Sequence, residues 1–361
     1  MLPSHHSSHR PAVLTVTAIA TLVLAACGGG TAAGGLAADA PLPTAVPPGT
    51  TLVIADQSEA QQVALKASGE LPQLPFTAEF ANFTGGPAIL EAFRAGAADI
   101  AIVGDTPPIQ ALVAGADVPI VLAKQNDPSS TQLAVAPSKA IRKLADLRGA
   151  KIAYAEGTAQ QVIVLRALAK AGLSTKDVEL IRLQLGDFDD AVRTGQVDVA
   201  PLGEPRLTRF LTATGPRGGG VIDPAETADT SSGLGYLYAR RAALQDPAKA
   251  AAIRAYVDHY IRSQQWINGH PAEWVQAYYV VNQGISAADG TRIVEALGPT
   301  TFPRLDSALV QRQQDTIDVI DRAGELPKRV RASDGFDLRF EQVAAETTAV
   351  VGAGREQVGA R

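Results

Sequence analysis

Two stretches about one domain length apart share a frame. Ala92-Phe93-Arg94-Ala95-Gly96-Ala97-Ala98-Asp99-Ile100-Ala101-Ile102-Val103-Gly104-Asp105 recurs as Ala191-Val192-Arg193-Thr194-Gly195-Gln196-Val197-Asp198-Val199-Ala200-Pro201-Leu202-Gly203-Glu204. Each copy reads as a helix that closes on Arg, whose charge suits the negative helix terminus, and on a Gly free to take left-handed angles. A short, continuously apolar strand follows and stops at Gly plus a carboxylate. Ligands of open α/β sheets sit beyond the C-terminal strand ends. The repeat therefore predicts an α/β fold of two similar lobes, strand ends facing, with a ligand between them.

A chain of 361 residues, 46% hydrophobic and 19% charged, has room for two such lobes. The net charge of -5, without a basic cluster, argues against a nucleic-acid partner. His5, His6 and His9 crowd the start, and His259 and His270 lack a ligand spacing, so no metal site is expected. Gly215 to Gly220 is Gly-rich but lacks the Lys-Ser or Lys-Thr of a nucleotide loop, and no cofactor is expected.

Arg10 precedes an apolar run, Pro11 to Ala26, with the length of a secretory h-region and too short for a bilayer span. It ends Leu24-Ala25-Ala26-Cys27-Gly28, which resembles a bacterial lipobox. The reading is a signal peptide over residues 1–26, lipid on Cys27, and a Gly/Ala/Pro tether over 27–49. The protein would then be anchored on the extracytoplasmic face of the cell membrane. Cys27 is the sole cysteine, which excludes a disulfide framework.

Along the body, Thr51 to Ala55 is a strand ending at Asp56-Gln57-Ser58. Thr84-Gly85-Gly86-Pro87 opens a helix, and Asp105-Thr106-Pro107-Pro108 opens another after the first repeat. The polar segment Lys124 to Ser130 crosses into the second lobe, a short helix is expected from Ser138, and Glu156-Gly157-Thr158-Ala159 opens a helix after a strand. Ser231-Ser232-Gly233 begins the return. The lobes would thus be 50–125 with 235–345, and 126–234, joined by two crossings, with 346–361 as a disordered tail. Trp266, Trp274, Tyr278 and Tyr279 fall at helical spacing and read as core packing, and helices at Ala287–Leu297 and Asp306–Ala323 would finish lobe one.

Phe83 to Ala92, Gly96 to Ile100 and Gly104 to Pro108 resemble the solute-binding proteins of ABC importers in the aliphatic sulfonate, taurine and nitrate group, and the likeness extends loosely from Thr51 to Val343. The resemblance implies a type II periplasmic-binding-protein fold that closes around a small anionic or zwitterionic solute. It also implies no catalysis and delivery by a monomer to a permease and its ATPase. The expected ligand-binding residues are Gln57, Ser58, Thr84, Gly85, Gly86, Asp105, Thr106, Gly157, Thr158, Ala159 and Glu204, the anion being held chiefly by helix-start amides and hydroxyls. Asp105 and Glu204 would exclude dianions, or pair with an amine if the ligand is a zwitterion such as taurine. The chain departs from the family pattern in having no tryptophan beside Glu204. Alternatives of another class are an exported, desulfinase-like hydrolase, which needs a nucleophile and base that are not apparent, and a ligand sensor.

Overall fold

The computed structural model describes residues 35–359. The signal peptide, Cys27 and the first part of the tether lie outside the described residues. Ten strands form two sheets: β1 (Thr51–Asp56), β2 (Thr77–Asn82), β3 (Ile100–Gly104), β4 (Ile120–Gln125), β5 (Thr131–Val135), β6 (Lys151–Tyr154), β7 (Glu179–Arg182), β8 (Val199–Gly203), β9 (Gly220–Val221) and β10 (Leu234–Ala239). Their orders are β2-β1-β3-β10-β4 and β7-β6-β8-β5-β9. The two sheets are built alike. In each, three strands run parallel, and the fourth, contributed by a chain segment passing between lobes, is antiparallel to its neighbours.

The repeat places β3 and β8 in the same central slot. Its Asp does the same work in both copies. Asp99 donates its N–H to Val53 O at 2.8 Å and its carboxylate accepts from Val53 N at 3.0 Å; Asp198 does so with Lys151 at 2.8 and 2.9 Å. Each Asp thus extends the ladder by one residue before the strand proper begins. Gly96 (φ 70°) and Gly195 (φ 79°) take the left-handed turn that the sequence requires of them.

Apolar residues of β1, β3, β4 and β10 form one core with the helix Pro247–Gly269, and the second sheet is covered on its two faces by separate clusters. The two crossings run side by side: Asn126 N donates to Gly233 O at 3.1 Å, and Gln125 Nε2 to Ser232 O at 3.2 Å. Gly233 has φ 65°, and a Cβ there would lie 2.3 Å from Asn126 O.

The structure departs from the sequence reading in four places. No helix starts at Ser138, because the Asp146 carboxylate takes the Arg142 and Lys143 amides at 2.9 Å each and turns the chain there. The helix Ser307–Arg322 is not confined to lobe one: Ile317 and Ile320 enter the core of the second sheet beside Ile152 and Val162. Its Gln313 Nε2 meanwhile donates to Asp105 O at 2.7 Å, so the helix spans both lobes. The expected tail is helical as far as it is described, within Glu341–Gly359, with Val343 and Ala344 buried and Thr347 Oγ1 donating to Asp258 at 2.6 Å. Part of the expected tether is tied down, Leu36 N to Gln245 O at 2.6 Å and Arg339 to Ala37 O and Ala40 O at 3.2 and 3.0 Å. No described helix is long and apolar enough to cross a membrane.

Candidate ligand-binding site

Two adjoining cavities of about 340 and 510 Å3 open where the strand ends of the two sheets face one another. Ile102, Lys124, Asn126, Glu204 and Leu297 line both. The smaller continues along Gln57, Asp105, Ala159, Gln160 and Arg166, and the larger along Tyr260, Trp274, Tyr278 and Tyr279.

Of the residues expected from sequence, the cleft brings together Gln57, Asp105, Ala159 and Glu204. Gly86 and Gly157 meet elsewhere, in a third cavity of about 250 Å3 beside Pro87 and Gln110. Thr84 and Ser58 are exposed, and Gly85 is buried with φ 88°. Thr106 and Thr158 are buried, but neither hydroxyl caps its helix: Thr106 Oγ1 donates to Asp105 at 3.1 Å and Thr158 Oγ1 to Ala155 O at 2.7 Å.

Several helix starts are already occupied from within. The Asp56 carboxylate accepts from the amides of Gln57 at 2.7 Å, Gln61 at 3.1 Å and Gln62 at 2.9 Å, filling the place an outside anion would take. Burial still leaves this carboxyl above its ordinary pKa, the donated amides only partly offsetting desolvation. Gly157 N donates to Gln161 Oε1 at 2.8 Å. Asp105 is 2% exposed, and its oxygens are taken by Thr106 and by Ser232 Oγ at 2.7 Å. The Ser232 bond ties the second crossing to the end of β3.

Among the charged groups of the cleft, Lys124, Arg166 and Glu204 lack a counter-ion among the described residues, and of these the sequence pointed to Glu204 alone. Lys124, the penultimate residue of β4, lines both cavities, and its ammonium has no hydrogen-bond or ion-pair partner among the described residues. Desolvation lowers its pKa from 10.5 to about 8. Its stem lies over Gly235, where a Cβ would come within 3.2 Å of Lys124 Cε. Arg166, within the helix Ala159–Lys170, donates only to neutral groups, Thr316 Oγ1 at 2.8 Å and Thr230 O at 3.4 Å, and no described carboxylate pairs with it. Glu204 accepts from Thr208 Oγ1 at 2.9 Å and Thr208 N at 3.2 Å, and has no cationic partner among the described residues. Burial raises its pKa, the two Thr208 bonds opposing.

The sequence reading missed Lys124 and Arg166. It counted Lys124 as the first residue of a polar crossing, although a Lys closing an apolar strand obeys the strand-end rule that selected Asp105 and Glu204. Trp274, Tyr278 and Tyr279, read as packing alone, pack and also wall the larger cavity. Trp274 and Tyr278 stack at 4.6 Å and 8°, and a π-helix, Val275–Asn282, carries both tyrosines.

Matched α/β lobes, a two-crossing hinge and a charged cleft at facing strand ends define a solute-binding protein of the periplasmic-binding-protein fold. The chain belongs to the NMT1/THI5-like family, whose pattern matches residues 82–273. It is 30% identical over 252 residues, 69% of this chain and 76% of the relative, to a protein named for aliphatic sulfonate binding in Escherichia coli strain K12. A Bacillus subtilis strain 168 protein named in the same way is 24% identical over 271 residues, 74% of this chain and 78% of the relative. Among solved structures, the alkanesulfonate-binding protein SsuA of Xanthomonas axonopodis pv. citri bound to MOPS superposes with a TM-score of 0.71 at 25% identity, covering 81% of this chain and 99% of that one. The nitrate-binding protein NrtA of Synechocystis PCC 6803, at 15% identity, TM-score 0.64 and coverage of 85% and 90%, shares the fold.

Proposed function

We propose that this chain is an extracytoplasmic solute-binding lipoprotein, anchored through Cys27, that captures a small sulfonate in the cleft and passes it as a monomer to an ABC permease and its ATPase. The observation that carries the reading is the pair of cations, Lys124 and Arg166, lining one cavity without a protein counter-ion. A half-buried cation lacking a counter-ion is costly, and an anionic solute supplies one. Ala159 and Gln160, at the start of the helix Ala159–Lys170, line the same cavity and add main-chain donors and the positive end of the helix dipole. The sulfonate head is thus held by charge as well as by neutral donors, with Gln57 and Glu204 completing the wall. Relatives named for sulfonate binding support the choice of anion.

Binding is favoured over hydrolysis by the lining itself. Neither cavity is walled by a histidine or cysteine, so neither holds a Ser-His or Cys-His pair. A thermal-shift series with alkanesulfonates, taurine and nitrate tests the reading. A sulfonate at about 100 times its Kd adds about 2.7 kcal/mol to stability and raises the melting temperature, and no shift with any sulfonate refutes the proposal. Lipidation is tested separately: Cys27→Ser releases the protein from the membrane fraction.

A further inference from the structure

We infer that one turn of the helix Ser307–Arg322 holds the cleft in register, with Thr316 and Gln313 as positioning residues: Thr316 aims Arg166 at the solute, and Gln313 fixes the strand end opposite. The inference rests on the sulfonate reading of the cleft and adds to it two residues that line neither cavity.

The helix begins in one core and ends in the other. Leu309 is buried with the first sheet, and Ile317 and Ile320 with the second. At about 1.5 Å per residue these contacts lie about 12 Å apart along the axis, so the turn between them stands at the junction of the lobes. Gln313 and Thr316 occupy that turn and, three apart in sequence, share one face of the helix. Each is 1% exposed.

Each also bonds to a residue that lines the smaller cavity, one from either lobe. Gln313 Nε2 donates to Asp105 O at 2.7 Å, just past Gly104, where a Cβ would lie 3.0 Å from Ala159 Cβ across the cleft. Gln313 Oε1 has no partner among the described residues. A buried amide with half its capacity unmet is costly, so packing alone does not account for a Gln here.

Thr316 Oγ1 donates to Arg312 O at 3.2 Å, which leaves its lone pairs to accept from Arg166 Nη2 at 2.8 Å. With Thr230 O at 3.4 Å as its other contact, the guanidinium keeps the rest of its fork for the solute. An Arg side chain ordered before the solute arrives loses less freedom when it binds. Thr316 thus contributes to affinity through Arg166, while Gln313 contributes through the seam between Gly104 and Ala159.

Calorimetric titration of the purified full chain with ethanesulfonate tests both roles. Thr316→Val is expected to weaken binding about fivefold, the cost of ordering an unheld Arg side chain, and Thr316→Ser, which keeps the hydroxyl, to restore it. Combined with Arg166→Gln, Thr316→Val is expected to change the affinity by less than about twofold, because the pair acts as one unit. Should Thr316→Val not fold, Thr316→Ala removes the same hydroxyl and is held to the same coupling. Gln313→Leu is expected to weaken binding by a factor that is the same with and without Arg166→Gln. The inference is overturned if loss of the Thr316 hydroxyl leaves the affinity unchanged or lowers it equally on both backgrounds, or if Gln313→Leu binds like the parent. The sulfonate reading would survive any of these results. Failure of the folded parent chain to bind ethanesulfonate would overturn both.

Discussion

Replacing Lys124 by Met should make the ligand-free protein more stable while destroying its function. The fall in the Lys124 pKa from 10.5 to about 8 measures how much the folded chain resists the ammonium. At about 1.4 kcal/mol per pH unit this is about 3 kcal/mol. Lys124 is only half-buried by surface exposure, so solvent screening brings the figure nearer 2 kcal/mol. Met keeps the aliphatic stem and removes the charge. With an unfolding entropy of about 2.1 cal/mol/K per residue over a body of this size, the melting temperature should rise by roughly 3 °C. The pH dependence has a fixed sign. Below about pH 8 both folded and unfolded chains hold the Lys124 proton and the full penalty stands. Between about 8 and 10.5 the folded chain has released it while the unfolded chain has not, so the stability of the ligand-free protein rises with pH across that window. The rise is absent from Lys124→Met. Sulfonate affinity runs the other way, weakening about tenfold per pH unit above about pH 8, because the bound anion requires the ammonium. Differential scanning calorimetry with and without sulfonate, across pH 7 to 10, measures all of this. A variant that melts lower than the parent, or that keeps the sulfonate-induced shift, would refute the reasoning.

Arg166→Gln should raise the sulfonate Kd by about tenfold or more with little change in melting temperature, since the lost bonds are to the neutral groups Thr316 and Thr230; calorimetric titration reads it. Asp99→Asn should cost about 2–4 kcal/mol in denaturant unfolding, because Asp99 is 1% exposed and pairs with both Arg240 and Lys249. Asp198→Asn, whose one ion-pair partner among the described residues, Lys139, is 43% exposed, should cost about 1 kcal/mol. Gly233→Ala should lower the unfolding midpoint and loosen the hinge, since it combines φ 65° with a Cβ 2.3 Å from Asn126 O; hydrogen exchange at the Asn126 amide reports the loosening.

What could be read from the sequence was whatever neighbouring residues decide among themselves. A helix ending on Gly, an Asp that must precede the strand, and an apolar run of five are local rules, and the repeat announced that they operate twice. The equivalence of the two sheets followed. The site was harder, for two reasons visible in particular residues. A sequence shows that a helix start offers amides but not who takes them: at Asp56 and at Gln161 the protein's own side chains do. Lys124 and Arg166 become neighbours only after the chain has crossed between lobes, and no local spacing connects a strand-end Lys with an Arg two turns into a helix. The helix Ser307–Arg322 poses the same difficulty, since its periodicity shows an apolar face but not that Ile317 and Ile320 turn it toward the second sheet.

The repeat also explains why the cleft is polar in one direction. Its two copies end on a carboxylate at the same place, Asp105 after β3 and Glu204 after β8. In the first copy the oxygens are consumed by Thr106 and Ser232, which fastens a crossing; in the second only Thr208 intervenes, and the carboxylate faces the cavities. The unpaired cations are divided as well, Lys124 on the sheet of lobe one and Arg166 on a helix that packs on the sheet of lobe two. Under the proposed reading, the sulfonate meets one cation from each lobe. The second of these contacts is made only when the lobes stand together, so that part of the binding free energy favours closure and a ligand lacking the anion would leave the lobes free to part.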